Sequence, residues 1–244
     1  MRNIIISEFI KLKRYSVLWI GVVAVFFSAI LAAFQSTIGD EIILYEELNN
    51  LVIWNNFSIG FPFMIVLIGG FIINREYIDS TLKNILTVPI SFKKLLVGKL
   101  FVIGIITILF AIFSFLCTLL LAFVLKVEIM ALPFIIRSLY QIVGMAIFNY
   151  IAVLPIIIFF SRRQNGFLAG VGFAFFYGFV GIFVAGRNVT DYYPITTGLG
   201  IIGYTGSGGG ADSLVFNTTI EIFVLILILV ISSIMILNMK ISKN

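Results

Sequence analysis

Residues 100–125, LFVIGIITILFAIFSFLCTLLLAFVL, form an uninterrupted apolar run that decides the fold class. The run carries no charged residue, and a helix rising about 1.5 Å per residue over this length crosses a hydrocarbon core of about 30 Å. The whole 244-residue chain has the same character, with 61% hydrophobic residues, a mean hydropathy of +1.18 and 11% charged residues. Soluble domains carry about 25% charged residues. The composition therefore predicts an all-α integral membrane protein.

Five further apolar runs are long enough to span a membrane as helices. The six predicted spans cover residues 17–38, 53–73, 100–125, 134–160, 166–186 and 219–239. No long polar region lies between them, so residues 1–244 are predicted to form a single transmembrane domain. An even number of spans places both termini on the same side of the membrane.

The positions of lysine and arginine predict which side this is, because cytoplasmic loops are enriched in both residues. Thirteen of the sixteen fall on the side of the termini, and the other side holds three: Lys126, Arg137 and Arg187. Both termini are therefore expected in the cytoplasm. This asymmetry, with contact to anionic membrane lipid, accounts for the net charge of +5. No nucleic-acid partner is expected.

The residue content also excludes or disfavours several kinds of site. The chain has no histidine and one cysteine, Cys117, so it has no imidazole site and no intrachain disulfide. No catalytic residue or metal site is predicted. The spans lack a buried acid–base pair, which disfavours an ion-coupled carrier and an intramembrane enzyme. Gln141 and Asn149 in the fourth span are candidates for lining a path. Arg137 and Glu221 are expected near the outer span ends, where they can reach the interface or pair.

Residues 3–15, NIIISEFIKLKRY, predict a short amphipathic helix before the first span. Ile5, Phe9 and Leu12 share one face of this helix, and Ser7 and Lys11 lie opposite. Such a pattern is typical of an interfacial helix that lies along the cytoplasmic leaflet.

Two glycine-containing patterns lie in the second half of the chain. Small residues recur every fourth position at 166, 170, 174 and 178, and this spacing suits helix contacts within one chain or between two chains. Residues 198–203, GLGIIG, match a dinucleotide-binding pattern, but no strand–helix unit surrounds them. This region is instead predicted to form a mobile or re-entrant extracytoplasmic hairpin before the last span.

The polar stretch NREYIDSTLKNILTVPISFKKLLVGK, residues 74–99, separates the second and third spans. A short helix, STLKNIL, is predicted to begin at a cap formed by Asp79 or Ser80 and to end before Pro89. One face of this helix is apolar: Leu82, Ile85 and Leu86. Ser91 can cap a second helix that continues into the third span. The resulting elbow is either a docking surface for a soluble partner or an ordinary basic loop.

This stretch resembles the coupling segment of ABC transporter permeases of the type-2 exporter family. The first intracellular loop of that family has a Glu, a Gly-Thr pair, a Leu-rich short helix, a Pro-[IV]-Ser element and a basic Gly-Lys pair. The corresponding residues here are Glu76, Ser80, Thr81, Leu82 to Leu86, Pro89, Ile90, Ser91, Gly98 and Lys99. Ser80 replaces the usual glycine. The amphipathic N-terminal helix and six spans are similar too, so the resemblance covers nearly the whole chain.

The resemblance implies a cytoplasmic coupling helix within residues 75–99 that docks a separate nucleotide-binding ATPase. The docking residues it implies are Glu76, Ser80, Thr81, Leu82, Ile85, Leu86 and Pro89. ATP and Mg would bind to that partner subunit, and this chain would hold no cofactor. A second permease chain, identical or related, would complete the path.

In size the chain resembles the small permeases of this family that export bacitracin, lantibiotics and related amphipathic peptides or confer immunity to them. The sequence is therefore interpreted as the permease subunit of an ATP-driven peptide exporter in the bacterial cytoplasmic membrane. A secondary carrier or channel, and a membrane anchor that recruits a soluble partner, are the alternatives.

Overall fold

The computed structural model describes residues 2–12, 15–38, 44–78, 91–127, 132–161, 166–206 and 216–239, which form helices and turns without a β-strand. The α-helices in these residues are α1 (Arg2–Leu12), α2 (Val17–Ser36), α3 (Tyr45–Asn55), α4 (Phe61–Ile78), α5 (Phe92–Val124), α6 (Leu132–Phe160), α7 (Phe167–Val184) and α8 (Thr218–Leu237).

Six helical stretches in the described residues are long and apolar enough to cross a membrane, which confirms the predicted all-α, six-span fold class. They are α2, the continuous run Tyr45–Glu76, α5, α6, α7 and α8. The second stretch begins earlier than predicted, because α3 joins α4 through a π-helix, Asn56–Gly60. The polar start of α3 is typical of a loop in sequence, but tertiary packing buries Asn49 and Asn50 there.

The helices pack around α4, whose side chains fill the centre of the apolar core. Met64, Ile65, Ile68 and Ile72 of α4 are almost fully buried, and α4 packs against α5, α6 and α7. The outer faces of α7 and α8 expose apolar residues instead. A helix that is apolar all round is typical of a membrane span.

Hydrogen bonds show which helix ends lie together. Lys93, at the start of α5, donates to the carbonyl of Leu237 at the end of α8. Side chains of α1, the end of α4 and the start of α5 are also in contact. At the opposite end, the starts of α3, α6 and α8 surround the segment that follows α7. Successive spans therefore cross in alternating directions.

The four-residue series of small residues in α7 packs within this chain. A Cβ atom added at Gly178 would lie 2.0 Å from the carbonyl oxygen of Ser58, and one added at Gly170 would lie 3.0 Å from the ring of Phe160. Ala174, between them, is fully buried. The small residues allow α7 to approach the π-helix and the end of α6 closely.

The predicted N-terminal helix is present, with bounds Arg2–Leu12 where the sequence predicts residues 3–15. Leu12 is buried, and Ile5 and Phe9 pack against the protein core, so the predicted apolar face contacts the rest of the chain. The location of α1 at a membrane interface stays a prediction. The predicted cap of α5 is confirmed, since Ser91 Oγ accepts a hydrogen bond from the Lys94 amide at 3.4 Å.

Candidate functional site

Helices α1, α4 and α5 bring four charged side chains together near the end of α4 and the start of α5. Lys99 Nζ lies 2.7 Å from Glu8 Oε2 and 3.1 Å from Glu76 Oε1. Lys11 Nζ lies 2.8 Å from Glu8 Oε1 and 2.7 Å from Glu76 Oε1. We call Glu8, Lys11, Glu76 and Lys99 the ionic cluster. Two carboxylates and two ammonium groups give it no net charge.

Three members of the ionic cluster are almost completely shielded from solvent. The exposed fractions are 2% for Glu8, 4% for Glu76 and 2% for Lys99. Lys99 also donates to the carbonyl of Ile72 at 3.2 Å, so its three N–H groups meet three acceptors. Burial of charges is costly unless each is paired and hydrogen-bonded. The geometry meets both conditions.

Lys11 lies at the rim of the cluster, with 37% of its side chain exposed. Burial by itself lowers the pKa of Lys11, but the hydrogen bonds and attraction from Glu76 and Glu8 raise it above its usual value. Lys11 is therefore charged across the physiological pH range. Beside the cluster, the Arg75 guanidinium lies 4.7 Å from the ring centre of Tyr15, a cation–π contact that extends the site toward α2.

Local sequence explains why these groups meet. Glu8 and Lys11 are three residues apart on α1 and therefore lie on the same side of the helix. Gly98 precedes Lys99 on α5, and a Cβ atom at Gly98 would lie only 2.7 Å from Ile4 Cγ2. The glycine thus lets α1 lie close to α5, and Lys99 can reach the carboxylates of both α1 and α4. This is a physical reason for a glycine–lysine pair at these positions.

The predicted coupling residues are only partly described. Glu76 belongs to the ionic cluster. The other six lie outside the described residues: Ser80, Thr81, Leu82, Ile85, Leu86 and Pro89. The described structure does show the two helices that flank them, since α4 ends at Ile78 and α5 begins at Phe92. The coupling role of these residues stays a prediction.

A second polar site lies at the opposite end of the bundle, around residues 193–206, which we call the turn segment. Gln141 Nε2 donates to the carbonyls of Ile202 and Gly203 at 3.2 and 3.0 Å, and Gln141 Oε1 accepts from Asn49 Nδ2 at 2.8 Å. Ser138 Oγ in turn donates to Asn49 Oδ1 at 2.6 Å. These bonds fix the turn segment to α3 and α6.

Glu221, in the first turn of α8, holds the turn segment from the other side. Its carboxylate accepts hydrogen bonds from the amides of Gly200 at 3.0 Å and Ile201 at 2.9 Å. Glu221 lies at the end of its span as expected, but its side chain is fully buried and is bound to backbone amides, so it does not extend toward solvent. Arg137 is exposed and donates to the carbonyl of Gly203 at 3.0 Å.

The two candidate path-lining residues have different environments. Gln141 is engaged with Asn49 and the turn segment. Asn149, about two turns further along α6, is fully buried, and neither side-chain polar atom has a hydrogen-bond partner among the described residues. The structure therefore does not bring both into one site, and their role in lining a path stays a prediction.

Sequence reasoning missed Glu8, Lys99 and Asn49 as site residues. Lys99 is expected from the sequence as part of the positive loop charge and of the family's Gly-Lys pair, with no partner assigned, and Asn49 is expected in a loop. The available signal was Glu8, which is the first acid in the sequence and is followed by no other before Asp40. An isolated acid in such a helix suggests a partner elsewhere in the chain.

Comparison with known proteins agrees with the coupling-segment resemblance. The family model described as ABC-2 family transporter protein matches residues 4–181, which include the ionic cluster and the stretch 74–99. The chain is also 29% identical over 136 residues to the bacitracin transport permease protein BCRB of Bacillus licheniformis. That alignment covers 56% of this chain and 64% of the relative, which is less than two thirds of the relative's length. Because the family model matches most of the chain and six helices are suited to span a membrane, this chain belongs to the ABC-2 family and is an ABC transporter permease subunit.

Proposed function

We propose that this permease works with a separate nucleotide-binding ATPase to export amphipathic peptides across the bacterial cytoplasmic membrane. The observation that carries the proposal is the ionic cluster. It joins α1 to the two helices that flank residues 79–90: Lys11 contacts Glu76 of α4 at 2.7 Å, and Lys99 of α5 contacts Glu8 at 2.7 Å. Lys99 also contacts Glu76 at 3.1 Å, which joins α5 to α4. A force applied to residues 79–90 would therefore act on three helices together.

The proposed mechanism uses this mechanical connection. The ATPase binds ATP and Mg and docks on the coupling residues, with Leu82, Ile85 and Leu86 in its groove. Closure of an ATPase dimer tilts the ends of α4 and α5, and the buried charges make α1 follow. Two permease chains then switch together as rigid bodies between two arrangements of the path. This chain supplies the path and the docking surface, and the partner supplies ATP hydrolysis.

The charge distribution supports a cytoplasmic position for the ionic cluster. The helix ends around it carry Arg75, Lys93 and Lys94, and cytoplasmic loops are enriched in such residues. A soluble ATPase in the cytoplasm would then meet residues 79–90 directly. Both termini would lie on this side.

The peptide substrate is supported by the similarity to a bacitracin transport permease. The predicted spans contain few ionisable groups, which suits a cargo that is itself largely apolar. Export of such a peptide and immunity to it require the same transport step, because both lower the amount of peptide in the cell or in its membrane.

The test is ATP turnover by the permease co-expressed with its ATPase and reconstituted in lipid vesicles. We expect amphipathic peptides to raise ATP turnover several-fold and to move only when ATP is present. Lys99→Met should uncouple ATP turnover from the peptide: basal ATP turnover is retained, and its stimulation by the peptide is lost. Lys94→Met is the matched control on the same helix, and it should behave like wild type. Peptide movement without ATP would contradict the proposal and favour a carrier or channel.

A further inference from the structure

An apolar groove lies between the second half of α5 and the first half of α6, at the end of the bundle that holds the turn segment. Its volume is about 560 Å³, within the range of small-molecule sites of about 300–1,000 Å³. The α5 wall consists of Ile112, Phe115 and Leu116, and the α6 wall consists of Leu139, Tyr140, Val143, Gly144 and Ile147. A Cβ atom added at Gly144 would lie 3.0 Å from Ile202 Cγ2, so the turn segment packs against α6 beside the groove. Both helices are candidate membrane spans, so the groove opens toward hydrocarbon.

Arg137 lies on α6 three residues before the groove-lining Tyr140, and is therefore about one helical turn nearer the start of the helix. Arg137 precedes Gly144 by seven residues, which places both on the same face of α6 with Arg137 about 10 Å nearer the helix start. Arg137 is exposed, and among the described residues its one hydrogen-bond acceptor is the carbonyl of Gly203. No carboxylate in the described residues forms an ion pair with it. A guanidinium has five N–H donors, so donors are left for an anion.

An apolar groove that leads to a cation at one end complements an amphipathic anion. Arginine binds phosphate with two parallel hydrogen bonds, and such charge-assisted bonds are stronger than neutral ones. Tyr140, which lines the groove and donates to the carbonyl of Ile201 at 3.4 Å, lies between the apolar part and Arg137. Tyrosine is enriched at this level of membrane proteins, where apolar chains meet headgroups.

We propose that the α5–α6 groove is a binding site for an anionic phospholipid. One acyl chain lies along Ile112, Leu116 and Ile147, and the phosphate contacts Arg137. Because Arg137 and Tyr140 both bind the turn segment, the lipid stabilises the contact between this segment and α6. The site is independent of the proposed peptide substrate and of the ATPase.

The experiment is native mass spectrometry of the purified full chain, delipidated and then incubated with equal amounts of phosphatidylglycerol and phosphatidylethanolamine. We expect several-fold more phosphatidylglycerol adduct than phosphatidylethanolamine adduct. Arg137→Gln should bring the ratio close to one. Arg187→Gln, which removes another exposed arginine, is the matched control and should keep the preference.

A second pair of variants tests the groove itself. Leu116→Trp fills the groove and should lower the adducts of both lipids, whereas Leu120→Trp, one turn away and similarly exposed, should not. Low reactivity of the buried Cys117 with a maleimide shows that each variant is folded.

Three results would overturn the proposal. The first is an unchanged lipid preference in Arg137→Gln. The second is equal binding by the two tryptophan variants. The third is a change from dimer to monomer in Leu116→Trp with unchanged lipid adducts, because the groove would then be occupied by a second permease chain.

Discussion

Replacing Lys99 with methionine should destabilise this permease far more than replacing Lys11 or Lys94. Methionine keeps much of the apolar stem of lysine but removes the charge, so two buried carboxylates would share one ammonium group. Glu8 Oε2 would also lose its hydrogen bond from Lys99 at 2.7 Å. Loss of one partner from a buried ion pair costs about 3–5 kcal/mol.

Substitutions of Lys11 and Lys94 are the comparisons for the stability loss expected in Lys99→Met. Lys11 is partly exposed, so water replaces much of what Lys11→Met removes, and the expected cost is about 1 kcal/mol. Lys94 is exposed and outside the ionic cluster, so Lys94→Met should change stability by less than about 0.5 kcal/mol. The double substitution Glu8→Gln with Lys99→Met restores neutrality. It should therefore cost less than the sum of the two single substitutions.

Cys117 provides the assay, because it is the chain's only cysteine and is buried in α5. A maleimide dye that fluoresces on reaction reports its exposure as the detergent-solubilised protein is heated. One kcal/mol lowers Tm by about 2–4 °C for a chain of this size, so Lys99→Met should lower it by about 6–20 °C. A Tm within about 2 °C of the Lys94→Met value would refute the reasoning.

Three further results are expected from the same assay. Gly178→Ala should lower Tm, because the added Cβ would lie 2.0 Å from the Ser58 carbonyl oxygen. Gly172→Ala is the control, since its Cβ meets nothing within 4 Å, and it should leave Tm unchanged or raise it. Equal Tm values for the two variants would contradict the close packing of α7 at Gly178. Glu221→Gln should cost about 1–3 kcal/mol, since an amide cannot accept from both Gly200 and Ile201 as the carboxylate does, and an unchanged Tm would count against that role. The folded-state pKa of Lys11 lies above its unfolded value. The stability that the ion pairs of Lys11 contribute is therefore fully present below about pH 10.5 and is lost only as the pH rises toward the folded-state pKa. The Tm difference between Lys11→Met and wild type should thus be the same at about pH 6.5 and pH 9, and a difference that shrinks by pH 9 would show that the pKa is not raised.

The six spans and the start of α5 were predictable because they depend on local sequence. Continuous apolar runs identify spans whatever the rest of the chain does. The Ser91 cap depends on a hydrogen bond over three residues. The early start of the second span was not predictable, because Asn49 and Asn50 are polar and are buried only through partners far along the chain.

The ionic cluster was beyond sequence reasoning for a similar reason. Glu8 and Lys99 are 91 residues apart, and nothing local indicates that α1 folds back onto α5. The resemblance identified Glu76 and Lys99 as family positions, but it did not pair them. Burial decides their role, since a lysine in an exposed basic loop and a lysine between two buried carboxylates look alike in sequence.

Isolation of the tagged chain from its native membrane in mild detergent tests most directly whether a docked ATPase drives this permease. Mass spectrometry then identifies the proteins that accompany it. We expect a soluble nucleotide-binding ATPase with the wild-type chain and with Lys94→Met, and its loss with Leu82→Asp while the permease itself is still inserted. Recovery of the chain without an ATPase, or equal recovery of the ATPase with Leu82→Asp, would contradict the account.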